Sequence, residues 1–369
     1  MYLTNQKTIA QIVVTDRSAC SYVRWRNWAH VMNSTDGGVC EFVVTTTPIF
    51  DEQFLARCAV VVFARVINDD QAYILGKFAK LKKKLGFTLA LDYDDLLFDL
   101  QGRATIPSYN IFSDNADSFA IGKVMERAVR FADRIFVSTA FLQVAFTVRF
   151  GMDVAGKLHV LKNYVSESMF FDIHDEHQEG QEGQPLRVMY TGAVNHFRDN
   201  DPGDLAGPWM PAMERLVRDG KIMFFVFGSP NPFMPKRTEY LPFVSSAMWP
   251  YTLSQLRPDV IIGPLKDNPF NRSKSDLKLL ESSAIGAAFV GSAFNDSPYN
   301  DMVESCKVSK TTTADELYEI IDGLTDPKIM EEVTDEQRLK LTEGHRIMED
   351  EAAKDCFITT VFGDFIVKS

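Results

Sequence analysis

Basic side chains crowd into one short stretch, Asp259–Gly286, of an otherwise acidic chain. The loop and first helical turn of this stretch carry Lys266, Arg272, Lys274 and Lys278, set against Asp267 and Asp276. Their local charge of +2 contrasts with −11 for the whole protein. An apolar run, Val260–Ile262, precedes them, and a helical pattern begins near Ser275 and ends at Gly286. Because a helix N-terminus presents unpaired N–H groups and a positive dipole end, this strand–loop–helix unit predicts a phosphate site.

A carboxylate stands one helical turn beyond the last of these lysines. Glu281 follows Lys278 by three positions, so both side chains would lie on one face of the helix. A carboxylate there is suited to accept hydrogen bonds from the two vicinal hydroxyls of a ribose. The pair therefore predicts a nucleotide-sugar site. The alternative is a solvated loop before an ordinary amphipathic helix, because no glycine-rich phosphate loop is present.

A second concentration of charge lies in the N-terminal half, in Leu91–Asp99 (LDYDDLLFD). Its candidate catalytic residues are Asp92, Asp94 and Asp95, at the end of a strand-like run. Close carboxylates raise one another's pKa, and a proton acceptor at a strand end could activate an acceptor hydroxyl. The choice among the three aspartates stays open, and so does the alternative of a polar loop with capping aspartates.

Ser18–His30 is the other N-terminal candidate. Its Tyr22, Arg24, Trp25 and Arg26 offer stacking and anion contacts after the first strand. A structural helix with partly buried arginines is an equal alternative. The run Lys82–Lys84 is typical of a solvated helix end.

Alternating strands and helices are needed to position these side chains. In the first half the predicted strands are Ile9–Thr15, Glu41–Thr45, Val60–Ala64, Phe87–Leu91, Arg134–Val137 and Leu158–Leu161, with helices at Gln71–Leu85 and Asp114–Ala132. In the second half they are Arg187–Tyr190, Met223–Phe227, Val260–Ile262 and Ala288–Gly291, with helices around Met210–Asp219 and Asp276–Ile285. This order predicts an α/β fold of two Rossmann-like, doubly wound domains facing each other across a cleft.

An acidic segment separates the two halves. Asp172–Gln184 carries five acids and one aliphatic residue, too few apolar groups to bury. We therefore expect an N-terminal acceptor-binding domain over 1–168, a linker over 169–184 and a C-terminal nucleotide-sugar-binding domain over 185–345. The remaining residues, 346–369, are expected to form a helical segment that packs back on the N-terminal domain.

Length and composition narrow the functional class. The 369 residues fit two domains, and 46% apolar content can supply both cores. The acidic balance argues against nonspecific binding to nucleic acid or anionic membrane. The five scattered cysteines have neither disulfide nor zinc spacing, and no apolar run approaches the roughly 20 residues that span a bilayer. With no signal-peptide core at the N-terminus, the expectation is a cytoplasmic protein without a metal site.

Several short patterns, taken in order, resemble those of GT-B glycosyltransferases, particularly bacterial and phage members similar to the retaining group 1 or family 4-like enzymes. The patterns are Ala132–Leu142 (ADRIFVSTAFL), Val160–Val165 (VLKNYV), Tyr190–Asp199 (YTGAVNHFRD), Phe225–Ser229 (FVFGS), and Ile262–Leu265 (IGPL) followed by Asn271–Glu281. Together they extend along nearly the whole chain. The resemblance implies a donor site in the C-terminal domain and an acceptor site in the N-terminal domain.

Carried over residue by residue, the resemblance assigns the donor pocket. Leu265 would lie near the base, and Lys274 and Ser275 would contact the diphosphate. Lys278 is a second candidate for the diphosphate, and Glu281 would bind the ribose.

The turn after the first strand of the second domain would complete this pocket. Gly192 would let the backbone approach the ligand. His196 and Arg198 would neutralise charge on the departing diphosphate, which makes Arg198 a catalytic candidate together with Lys274. The alternative is a turn with an exposed histidine and arginine.

One departure from the family pattern concerns the donor sugar. Many retaining members carry a glutamate eight residues before the ribose glutamate, where this chain has Ser273. The contact would then come from elsewhere, such as Asn271 or Asp276. Stereochemistry therefore stays open.

The implied activity is metal-independent sugar transfer from a nucleoside-diphosphate sugar, expected to be a UDP-sugar, with no permanently bound cofactor. The acceptor would be a glycan or another hydroxylated molecule, and closure near Asn163–Tyr164 would exclude water. Alternatives are a phage enzyme that modifies a hydroxylated pyrimidine of DNA, a sugar-nucleotide epimerase, or a non-catalytic nucleotide-sugar-binding protein. Sugar, nucleotide and oligomeric state are left open.

Overall fold

The fold is described from a computed structural model of the 369-residue chain. The residues described are 2–3, 7–14, 19–34, 40–98, 118–170, 184–192, 203–228 and 234–367. The short terminal strands β1 (Tyr2–Leu3) and β14 (Ile366–Val367) pair with each other in antiparallel fashion.

The N-terminal half contains a six-stranded parallel sheet in the order β3-β2-β4-β5-β6-β7. Its strands are β2 (Ile9–Val13), β3 (Glu41–Thr45), β4 (Cys58–Ala64), β5 (Thr88–Tyr93), β6 (Arg134–Val137) and β7 (Leu158–Val160). β4, with the sequence CAVVVFA, is buried over its first six residues, as expected of a central parallel strand. The strands predicted from the sequence are all present.

Helices cover both faces of this sheet. They are α1 (Ala19–Ser21), α2 (Asn27–Ser34), α3 (Glu52–Arg57), α4 (Asp69–Leu85), α5 (Ser118–Phe131), α6 (Ala140–Phe150) and α7 (Met152–Ala155). A π-helical turn, Tyr22–Arg26, joins α1 to α2. Capping residues fix both ends of α4. The helix begins at a capping box between Asn68 and Gln71 and ends at Gly86, which has a φ of 71°.

The C-terminal half repeats the architecture with the strand order β10-β9-β8-β11-β12-β13, also parallel. Its strands are β8 (Leu186–Gly192), β9 (Ile222–Gly228), β10 (Glu239–Leu241), β11 (Val260–Gly263), β12 (Ala288–Ser292) and β13 (Lys307–Val308). Its helices are α8 (Trp209–Arg218), α9 (Trp249–Leu256), α10 (Pro269–Ser273), α11 (Leu277–Ala284), α12 (Ala314–Gly323) and α13 (Pro327–Glu343). The predicted α/β fold with two doubly wound sheets is confirmed.

Local details differ from the sequence prediction. The edge strands β10 and β13 were missed because each is only two or three residues long. The loop before α11 contains the extra helix α10, capped by Asn268. α11 begins at Leu277, after an N-cap at Asp276, and so starts later than the predicted Ser275.

The chain crosses between the two cores around residues 164 and 165. Tyr164 packs in the N-terminal core, whereas Val165 and Phe170 pack in the C-terminal core. The last helix, α14 (Glu351–Phe362), lies against the N-terminal sheet, where Phe357 stacks on Trp28 with ring centroids 4.0 Å apart. Most of the acidic segment 172–184 lies outside the described residues.

Within the described ranges, no helix combines the length and apolar character needed to cross a bilayer.

Candidate active site

The carboxyl end of the C-terminal sheet meets the N-terminal domain through α10. The hydroxyl of Ser273 accepts a hydrogen bond from the backbone N–H of Leu96 at 3.3 Å. The backbone oxygen of Ser273 accepts a second bond, from Thr139 Oγ1 at 3.2 Å. Phe270, on the same helix, packs into the N-terminal core. The loop predicted to bind phosphate is therefore located between the domains.

Lys278 and Glu281 lie one turn apart on α11, as the spacing predicted. The ammonium of Lys278 is buried, lies 5.1 Å from the centroid of the Tyr190 ring and has no hydrogen-bond partner among the described residues. Burial, assisted by the charge of Lys274, lowers the pKa of Lys278 to about 8. Within the described part of the chain this buried cation forms neither a hydrogen bond nor an ion pair, a costly arrangement that an incoming anion would relieve.

Glu281 is the carboxylate of this site and is only 8% exposed. Its Oε1 accepts a hydrogen bond from the indole nitrogen of Trp249 at 3.0 Å. Burial raises the pKa of Glu281 to about 7, against the opposing effects of the Trp249 bond and the Lys278 charge. The carboxylate therefore titrates near neutral pH, and its other oxygen is not engaged by any described residue.

Three other charged residues of the loop are paired within the protein. Arg272 Nε donates to Asp267 Oδ1 at 2.7 Å, and Lys310 pairs with the other oxygen of that carboxylate. Asp276 is held by both terminal nitrogens of Arg346, at 2.7 and 2.9 Å. Lys274 is different, because its ammonium lies 4.6 Å from the Phe270 ring centroid and forms no ion pair among the described residues.

A buried aspartate that the sequence reasoning missed shapes the loop. Asp204 Oδ1 accepts hydrogen bonds from the backbone of Lys266 at 2.9 Å and from the amide of Asn271 at 2.8 Å. Asn271 also donates to the backbone oxygen of Lys266 at 2.9 Å. Both residues suggested to replace the missing glutamate, Asn271 and Asp276, are thus engaged in internal contacts. No local sequence signal marks Asp204, since its partners lie 62 and 67 residues away.

Two other residues predicted to bind the donor, Leu265 and Gly192, belong to the described part of the chain. Leu265 is buried and donates its backbone N–H to Ser292 Oγ at 2.9 Å. Gly192 ends β8, where any Cβ would lie 2.5 Å from the Tyr190 ring, so no side chain fits without a shift. His196 and Arg198 lie outside the described residues, and their roles stay predictions.

On the N-terminal side, Asp92 belongs to a buried ion pair. The carboxylate is 2% exposed. It accepts from Arg24 Nη2 at 2.5 Å and from Trp25 Nε1 at 2.8 Å, both on the π-helical turn. For Arg24 and Trp25 the sequence left ligand contact and a structural role as equal alternatives, and the structure buries both side chains against Asp92.

Asp94 and Asp95 share one cation that the sequence reasoning also missed. Arg65 donates to Asp94 Oδ1 at 2.6 Å and to Asp95 Oδ2 at 2.5 Å. Burial alone would raise the pKa of Asp94, but the charge and hydrogen bond of Arg65 lower it below its usual value. For Asp94 the expectation of a raised pKa is therefore wrong, because a guanidinium joins the two carboxylates.

A thiol completes this group. Cys20 lies so near that its sulfur and one oxygen of each carboxylate are all within 4.8 Å of one another. Within the described part of the chain, this is the one set of side chains with the spacing of a metal site. A cation binding there would compete with the guanidinium of Arg65 for the same oxygens.

No protein-family model matches the sequence, and no curated protein matches it either. Solved structures do match over nearly the full length. HepE from Anabaena, in complex with UDP and glucose, is 13% identical and has a TM-score of 0.57, with 95% of this chain and 99% of HepE covered. A glycosyltransferase from Rickettsia africae is 11% identical with a TM-score of 0.60, covering 99% of this chain and 100% of the other.

A third structural match is TarM, which is a larger protein. It is 10% identical, with a TM-score of 0.53 over 83% of this chain and 55% of TarM. The chain has the GT-B fold. In the GT-B fold of this protein, the Lys278–Glu281 helix and the Asp94–Arg65–Asp95 group lie at the carboxyl ends of the two sheets. At these identities the comparisons establish architecture, and activity has to be argued from the site.

Proposed function

We propose that this protein is a glycosyltransferase that moves a sugar from a nucleoside-diphosphate sugar, with UDP as the nucleotide, to an acceptor hydroxyl. The observation that carries the proposal is the buried ammonium of Lys278, which has no hydrogen-bond partner among the described residues and lies one helical turn from the buried carboxylate of Glu281. An anion and a diol placed side by side satisfy both groups. A UDP-sugar supplies that combination through its diphosphate and its ribose.

The chemistry follows from where charge develops. Transfer breaks the bond between the anomeric carbon and the diphosphate oxygen, which leaves with the electron pair. The acceptor oxygen bonds to the same carbon, and its proton is released. Lys274 and Lys278 would stabilise the departing diphosphate, and cations held in place before the reaction need no reorganisation during it. Glu281 would hold the ribose.

The acceptor is proposed to bind at the Asp94–Arg65–Asp95 group. A carboxylate with a lowered pKa remains ionised, so Asp94 is better suited to accept a hydrogen bond from a sugar hydroxyl than to remove its proton. A glycan or other polyhydroxylated acceptor fits such a group.

A DNA acceptor would require a cationic channel on this acidic protein, with Arg24, Arg26 and Lys82–Lys84 as possible contributors, and three of these five residues form ion pairs within the protein. Arg24 is buried against Asp92. Lys82 bonds to Asp133 at 2.7 Å, and Lys84 bonds to Glu52 at 2.6 Å. We therefore place the DNA-modifying reaction behind glycan transfer.

Calorimetric titration of UDP into the wild-type protein and Lys278→Ala tests the donor site. We expect the wild type to bind UDP and to be stabilised by it, by about 2.7 kcal/mol at one hundred times the dissociation constant. Lys278→Ala should weaken binding at least ten-fold, because the cation that meets the diphosphate is lost. Lys83→Ala, a change of the same type on an exposed helix position, is the control. Absence of UDP, GDP and UDP-sugar binding by the wild type would overturn the proposal.

Turnover separates the remaining alternatives. Incubation with UDP-glucose and a glycan mixture should release UDP faster than incubation without acceptor. Conversion into another UDP-sugar without acceptor would indicate an epimerase, and binding without any conversion would indicate a sensor. Metal independence is tested in the same assay with EDTA.

A further inference from the structure

One asparagine joins both domains and the C-terminal segment. Asn163 lies at the crossing between the cores and is buried. Its side-chain oxygen accepts from Arg24 Nη1 at 3.1 Å, and its amide nitrogen donates to Ser275 Oγ at 2.7 Å. Its backbone oxygen accepts two bonds from Arg346, at 3.0 and 2.6 Å. Arg346 in turn holds Asp276, the N-cap of α11.

The orientation of this amide is determined by chemistry. A guanidinium has only donors, so the group that faces Arg24 has to be the oxygen of Asn163. Arg24 cannot turn away, because it is bound to the carboxylate of Asp92 and to the backbone oxygen of Leu161. The amide nitrogen is therefore directed at Ser275 as a donor.

This orientation decides what the hydroxyl of Ser275 can do. Because its oxygen already accepts from Asn163, its proton has to point elsewhere, and no described residue receives it. Ser275 directly follows Lys274, a half-buried lysine of the loop that carries the basic residues. A hydroxyl that accepts one hydrogen bond also becomes a stronger donor in the next.

We propose that Asn163 is a positioning residue that acts through Ser275: it fixes the hydroxyl as a hydrogen-bond donor to the diphosphate of the sugar nucleotide. The inference rests on the proposed function, since it presumes a diphosphate beside Lys274. Asn163 itself lies at the crossing between the domains and would not touch the substrate. The chain Asp92–Arg24–Asn163–Ser275 thereby makes the donor loop depend on the N-terminal domain.

A double-mutant cycle measured with UDP tests this relay. A hydrogen bond to a charged partner is worth enough for Ser275→Ala to weaken UDP binding about ten-fold. Asn163→Ala should weaken it by a similar factor, and the double variant should bind no more weakly than Ser275→Ala alone. Effects that multiply in the double variant, or an unchanged affinity in Asn163→Ala, would overturn the inference.

A structural role is separated by a matched control. Asn33 likewise makes two side-chain hydrogen bonds, both 2.9 Å long, to the backbone of Phe42 in the N-terminal domain. Asn33→Ala should lower the melting temperature and leave UDP affinity unchanged. If it weakens UDP binding as much as Asn163→Ala does, the effect is general loosening and the relay is rejected.

Asn163→Asp keeps the shape of the side chain but replaces the amide nitrogen, a hydrogen-bond donor, with a carboxylate oxygen, an acceptor. The new carboxylate can still accept from Arg24, but Ser275 would have to donate to it, so the hydroxyl is lost to the diphosphate. UDP affinity should fall at least ten-fold in the Ser275 background and by a smaller factor when Ser275→Ala is already present. Equal factors in the two backgrounds would contradict the inference. Failure of the wild type to bind UDP would instead reject the proposed function itself.

Discussion

Replacing Lys278 by methionine should stabilise the ligand-free protein and at the same time remove most of its affinity for UDP. Methionine keeps an unbranched apolar stem of similar length and deletes the ammonium. In the folded chain that ammonium is sealed from water without a hydrogen-bond partner among the described residues. The substitution therefore removes a desolvation cost that only a bound anion would relieve.

The pKa of Lys278 sets the magnitude. A decrease from 10.5 to about 8 makes the protonated amine about 3 kcal/mol less favourable in the folded than in the unfolded chain. Below pH 8 both states carry the proton and the full cost applies. Between pH 8 and 10.5 the unfolded chain binds more protons, so the free energy of unfolding rises with pH. Because this net decrease already includes the attractions to Asp204 and Glu281, we expect Lys278→Met to gain about 3 kcal/mol at pH 7.

Urea unfolding at pH 7 and at pH 10, with UDP calorimetry on the same preparations, is the assay. Lys278→Met should be more stable than the wild type at pH 7, and the difference should shrink at pH 10. Lys83→Met, at an exposed position of α4, should change neither quantity. A variant that is less stable yet binds UDP normally would refute the reasoning, since the ammonium would then be supporting the fold.

Four further outcomes are expected. UDP affinity should rise less between pH 8 and pH 6 in the wild type than in Glu281→Gln. Protonation of Lys278, whose pKa is about 8, strengthens binding in both proteins, whereas protonation of Glu281, whose pKa is about 7, removes the carboxylate proposed to hold the ribose in the wild type alone; calorimetry of both proteins measures the difference. Asp92→Asn should lower the free energy of unfolding by about 3 kcal/mol, since it leaves the buried Arg24 charge uncompensated. Asp94→Asn should reduce sugar transfer and spare UDP binding, which a radiolabelled transfer assay and calorimetry distinguish. Phe357→Ala should cost about 3 to 5 kcal/mol in urea unfolding, because it empties the contact between α14 and Trp28 of α2 in the N-terminal core. The same change at Phe243, whose side chain is 58% exposed, should cost well under 1 kcal/mol.

Periodicity and local composition predicted the architecture well. Apolar runs such as Val60–Ala64 predicted buried parallel strands, and their alternation with amphipathic segments indicated two doubly wound sheets. These signals are local, so they can be read without knowing which strands pair. The same holds for Lys278 and Glu281, whose spacing alone predicts a shared helix face.

Charge partners could not be predicted in this way. The sequence offered four basic and two acidic residues in the cationic loop, but only the folded chain shows that Arg272 is neutralised by Asp267. It also shows that Asp94 and Asp95 are joined by Arg65, from a different strand end. This pairing changed the chemistry expected of Asp94, from a carboxylate of raised pKa to one of lowered pKa.

The sequence by itself thus determined two α/β domains and the position of the helix that we propose binds the donor, because hydrophobic periodicity and helical spacing act over a few residues. Tertiary structure decided which ions are free to meet a ligand. Arg24 and Asp92 are 68 residues apart, and Asn163 and Ser275 are 112 apart. The electrostatic state of a buried group depends on such distant neighbours and on its exclusion from water, and neither is encoded in a local pattern.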